Sequence, residues 1–132
     1  MIYDKEVYHF LFLHFPIGLL VTGYIFNIFK FILKDEKFDE FISWIMGMGI
    51  IFGIFSIITG FITDWDMGHM DTPFPIFSTH GSLMILCILF FCILFYLKYK
   101  KINAKVFLLL HTIATLLLMY GAHLGAKWAD RI

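Results

Sequence analysis

The chain has 132 residues, 61% of them hydrophobic and 20% aromatic, with ten basic side chains balancing ten acidic ones and a mean hydropathy of +0.86. That apolar excess excludes an ordinary water-soluble domain, and the even charge balance with no basic stripe argues against nucleic acid as a partner. No Ser/Gly/Pro-rich linker and no internal repeat divides the sequence, so residues 1–132 read as one membrane domain.

The opening MIYDKEVY lacks a clean basic region, and no small-residue cleavage pattern follows the apolar run behind it. That run therefore reads as a retained helix and not as a signal peptide. Four uncharged runs follow one another: Val7–Phe29, Phe41–Thr63, Thr72–Leu97 (helical from about Ser78) and Val106–Ala126. Each reaches the roughly 20 residues that a helix rising 1.5 Å per residue needs to cross a bilayer core. The polar stretches between them, Lys30 to Glu40, Asp64 to Asp71 and Lys98 to Lys105, are short, which makes consecutive helices antiparallel neighbours. The expected fold is all-α, a four-helix transmembrane bundle of up-down-up-down order. The first and third polar stretches hold three and four lysines, whereas the N-terminal tail, the middle stretch and the C-terminal tail hold one, none and two Lys or Arg. By the positive-inside rule, both termini and the 64–77 loop are expected outside the cytoplasm.

In the first run, LFLHFPIGLL puts His14 and Pro16 two positions apart in an uncharged setting. A proline there removes a helical N–H and clashes with the carbonyl of Phe12, a kink that would aim His14 and free an acceptor for its second ring nitrogen. In the second run, Gly49, Gly53, Ser56 and Gly60 follow a 4-3-4 spacing on one stripe, which fits close helix packing or room for a flat cofactor beside Gly53 and Gly60. The middle loop, DWDMGHMD, gathers Asp64, Asp66, His69 and Asp71 with Met67 and Met70. It reads as a solvated acidic loop, or as an outer zinc or copper site using His69 and Asp64. In the third run, Cys87 and Cys92 lie five residues and about 140° apart around a helix, which rules out a bond between them.

Six histidines punctuate the chain, and five fall in the expected outer half. His9 reads as an interfacial side chain. His111 lies alone toward the other side, about 18 Å along its helix from His123, and reads as an interhelical hydrogen-bonding group. His14, His80 and His123 come from three helices at similar depth, and ionisable groups at such depth face a partner or a function. Helices one and three lie diagonally across an up-down bundle, so His14 and His80 fit as axial ligands of one haem b, with His123 in reserve. No motif of a hydrolase, phosphate-binding loop or zinc protease is present, and no nucleophile stands out.

The HFPI from His14, the TGFITD from Thr59, the STHG from Ser78 and the GAHLG from Gly121 together resemble an uncharacterised family of short prokaryotic four-helix membrane proteins, a domain of unknown function. That resemblance covers nearly the whole chain and implies the fold, and the expected location is the inner membrane of a prokaryotic cell. More distantly, the histidine-bearing helices resemble the di-haem cytochrome b superfamily, which carries electrons between quinones and redox partners. The sequence departs from that pattern, because its one comparable pair, His111 and His123, is twelve residues apart and about 120° out of register. The functional expectation is a small haem b electron-transfer protein, non-catalytic by itself, working with other membrane redox subunits or quinone, in lipid and compatible with a homo-oligomer. The rival is a non-haem zinc or copper protein, or a purely structural subunit.

Overall fold

A computed structural model describes the backbone of residues 5–67 and 80–128, and side chains within 14–60 and 81–123. It consists of four helices: α1 (Lys5–Leu33), α2 (Phe38–Met67), α3 (His80–Tyr99) and α4 (Ala104–Trp128), with no strand among the described residues. All four are long and apolar enough to cross a membrane, over His14–Leu33, Phe38–Gly60, Gly81–Tyr99 and Ala104–His123. The all-α expectation holds. The helices run past the uncharged runs into the polar stretches, most of all in α2, which continues to Met67, so Asp64 and Asp66 lie on its last turns and not in a loop. The remainder of the expected outer loop, including His69, lies outside the described residues.

Two four-residue connections close the lysine-rich end. Lys34 and Lys101 adopt positive φ angles of 52° and 56° immediately after α1 and within the turn after α3. This left-handed conformation turns the chain off the helix axis. Beyond α3, the amides of Lys100 and Lys101 bond back to the carbonyls of Tyr96 and Lys98, each at 3.0 Å. Asn103 then caps α4 by accepting the amide of Lys105 at 2.9 Å. In the other connection, the Lys37 amide donates to Asp35 at 3.0 Å, and that bond holds the Asp35 carboxyl below its usual range.

Each helix packs on two others, α1 on α2 and α4, and α3 on the same two, so α1 and α3 stand across a diagonal. On α1 the buried stripe is Pro16, Leu20, Gly23 and Asn27, and α1 runs without interruption through the proline. Across from it, α2 contributes Ile42, Met46, Gly49, Gly53 and Ser56. A Cβ on Gly49 would sit 2.7 Å from Cδ2 of Leu20, and one on Gly53 would overlap the Ile88 side chain, with Pro16 3.7 Å away. Glycine at these two places lets α1 and α3 approach α2 without displacing the Leu20 and Ile88 side chains. Leu83, Cys87, Phe91 and Leu94 of α3 and Ala114 and Leu118 of α4 complete the centre, all fully buried. Large apolar side chains such as Trp44, Ile51, Leu89, Ile93, Leu109 and Leu116 cover the outside, as a lipid-solvated bundle requires.

At the lysine-rich end, the ammonium groups of Lys30 and Lys98 both reach Oδ1 of Asp39, at 2.6 and 2.7 Å. One carboxylate in the first turn of α2 thus ties together the last turns of α1 and α3. Both lysines sit where the negative end of a helix dipole favours a cation, and Asp39 where the positive end favours an anion.

Candidate functional site

The seam between α1 and α4 carries two side-chain hydrogen bonds between helices in the membrane interior. Tyr24 Oη and Thr112 Oγ1 are 2.8 Å apart, and Asn27 Nδ2 lies 3.0 Å from His111 Nδ1. The His111 ring is fully buried and boxed by Tyr24, Phe91 and Phe107, with ring centroids at 5.2, 6.0 and 5.6 Å. The expectation of an interhelical hydrogen bond for His111 is met, and Asn27, which sequence reasoning passed over, supplies it. Its signal was available: Asn27 is the one asparagine in the first apolar run, and a buried amide needs a partner. With the amide nitrogen as donor, Nδ1 is the acceptor and the ring hydrogen is on Nε2. Nε2 has no hydrogen-bond partner among the described residues.

These same contacts fix the register of the site expected at the far end. Asn27 opposite His111 and Tyr24 opposite Thr112 make α1 and α4 antiparallel, and counting outward brings His14 level with His123 to within about one residue. His80 begins α3 at that end too. Traced through α4, where Gly121 meets Leu83 and Met84, His80 is about one residue from that level. Traced through α2, where Gly53 meets both Pro16 and Ile88, it is about six residues, or about 9 Å, farther out.

The side chains of His14 and His123 are both exposed. At 100° per residue His14 is about 160° around α1 from Pro16, and His123 about 160° around α4 from Gly121, so each points away from its buried stripe. The contacts of Tyr24 and Thr112 put both on one flank of the α1–α4 seam. The space beside Gly53 is filled by Ile88 and Pro16, so this glycine serves helix packing. Gly60 is half-buried two turns farther along α2. The side chains of His9, Asp64 and His80, and all of His69, lie outside the described residues.

The donor set can be weighed against the groups it was expected to hold. No group of three or more His, Cys, Asp or Glu converges among the described residues. A zinc site takes three or four protein ligands and a haem b iron would be held by one or two imidazoles; the side chains of Asp64, His69 and His80, which the zinc reading uses, lie outside the described residues. His14 and His123 offer two imidazoles at one level on neighbouring helices, both turned outward on one flank. Cys87 is buried and Cys92 exposed, both as free thiols, as their spacing implied.

No curated protein and no solved structure matches this chain. A family model described as "Predicted membrane protein (DUF2231)" matches residues 7–132. The chain therefore belongs to that family, a family of predicted membrane proteins whose function is unknown.

Proposed function

We propose that this chain is a small integral membrane electron-transfer protein that holds one haem b near the far end of its bundle. It would work as a subunit or partner of a larger membrane redox complex, in the inner membrane of a prokaryote with that end outside the cytoplasm. The observation that carries this reading is the shared level of His14 and His123 on adjacent helices, with the start of α3 at His80 at the same end. A bound haem would supply one-electron chemistry at its iron. The chain's own task is to present imidazole nitrogens along one line, keep water from the macrocycle with apolar walls, and set the polarity around the iron. The outward aspect of His14 and His123 favours a seat on the α1–α4 flank over one against Gly53, which Ile88 fills.

Purified protein should show a b-type reduced-minus-oxidised spectrum, with about one haem per chain by pyridine haemochrome. His14→Ala should convert the haem to high spin or release it, and His9→Ala should leave the spectrum unchanged. His80→Ala and His123→Ala decide the second ligand: the one that mimics His14→Ala provides it. A folded preparation grown with haem available and lacking a Soret band would refute the reading. Zinc and copper analysis of that sample then tests the non-haem rival, in which His14, His69, His80 and His123 surround a metal ion, or His69 and Asp64 hold one in the outer loop.

A further inference from the structure

The two connections at the lysine-rich end carry opposite charge. From Lys30 to Glu40, three lysines meet four acids; from Lys98 to Lys105, four lysines meet none. The ion pairs sharpen that contrast. Asp39 takes Lys30 and Lys98, Glu36 lies 3.5 Å from Lys30, and Asp35 lies 3.3 Å from Lys37. Lys100, Lys101 and Lys105 are exposed and have no carboxylate partner among the described residues. Three uncompensated cations thus cluster between the turn after α3 and the first turn of α4, at the end of two membrane-spanning helices. Lys105 adds to the cost, since it stands in the first turn of α4, where the helix dipole already repels a cation and no acid is present. Beside them, Tyr96 and Tyr99 are 56% and 78% exposed at the end of the Gly81–Tyr99 span, and the Lys100 ammonium lies 5.5 Å over the Tyr96 ring. Exposed tyrosines at a span end sit at the level of lipid headgroups.

We propose that the turn from Lys100 to Lys105 docks the headgroups of anionic phospholipids, with Tyr96 and Tyr99 at the boundary between headgroup and acyl chain. The connection after α1 is excluded from this role because its own acids neutralise it. Charge complementarity selects the occupant: a phosphodiester headgroup without a compensating ammonium offers these lysines what the protein withholds.

The test compares spin-labelled phosphatidylglycerol with spin-labelled phosphatidylcholine on the full chain in phosphatidylcholine vesicles, reading the motionally restricted fraction of each. Wild type should favour phosphatidylglycerol at least about threefold at low salt. That preference should collapse in 1 M NaCl, where the screening length falls to about 3 Å. Lys100→Gln/Lys101→Gln/Lys105→Gln should abolish it, and Lys34→Gln/Lys37→Gln should retain it. Equal restriction of both lipids by wild type, or a preference surviving in the triple variant, overturns the proposal. Loss of preference with inorganic phosphate but not with chloride of equal ionic strength also overturns it, in favour of a discrete phosphate site.

Discussion

Replacing Asn27 by leucine isolates the buried hydrogen bond on which the α1–α4 seam turns. Asn27 is 6% exposed and His111 fully buried, so no water replaces the lost amide. Nε2 of His111 already lacks a partner among the described residues, and Asn27→Leu strands Nδ1 as well. An unsatisfied buried polar atom costs about 1–3 kcal/mol. Interhelical hydrogen bonds in membranes average nearer 0.6 kcal/mol, because the unfolded chain in lipid also finds partners. The expected loss is about 1–2 kcal/mol, read by reversible unfolding in mixed micelles of mild detergent and dodecyl sulfate. The double variant Asn27→Leu/His111→Phe removes both polar groups and should recover most of that loss, since an apolar pair of similar bulk leaves nothing unpaired. Wild-type stability for Asn27→Leu, or a double variant weaker than the sum of the singles, would refute the reasoning and make the 3.0 Å contact incidental.

Gly53→Leu should overfill the contact with Ile88 and Pro16 and cost at least about 1–3 kcal/mol in the same assay, whereas Gly18→Ala, with nothing within 4 Å of its Cβ, should be neutral or stabilise by up to about 1 kcal/mol. Asp39→Asn leaves Lys30 and Lys98 facing each other without their shared anion, and hydrogen exchange at the lysine-rich ends of α1 and α3 should quicken while amides nearer Gly121 keep their protection. A cysteine at Lys101, with Cys87 and Cys92 replaced by alanine, should resist an impermeant thiol reagent in intact cells and label after lysis; labelling of intact cells would invert the proposed orientation.

The sequence by itself determined that four helices span a membrane in alternating directions, because apolar run length and short polar connections leave no other way to satisfy the backbone in lipid. It also marked Gly49 and Gly53 as a close-approach stripe, since small residues at 4-residue spacing have few other uses in a membrane helix. What it left open was which side of each helix faces inward. In lipid both sides of a helix are apolar, so periodicity, which in water separates core from surface, loses its contrast; Trp44 and Phe55 lie outside and Ile42 and Phe91 inside with the same composition. The outward aspect of His14 and His123 was therefore decided only by packing, through the stripe of Pro16, Leu20, Gly23 and Asn27 that α1 turns inward. Pairings of distant residues were equally illegible: Asn27 with His111 and Lys98 with Asp39 are separated by 84 and 59 positions. Depth alone placed Asn27 and His111 in the same layer of the membrane, and only the rotation of two helices about their axes made them meet.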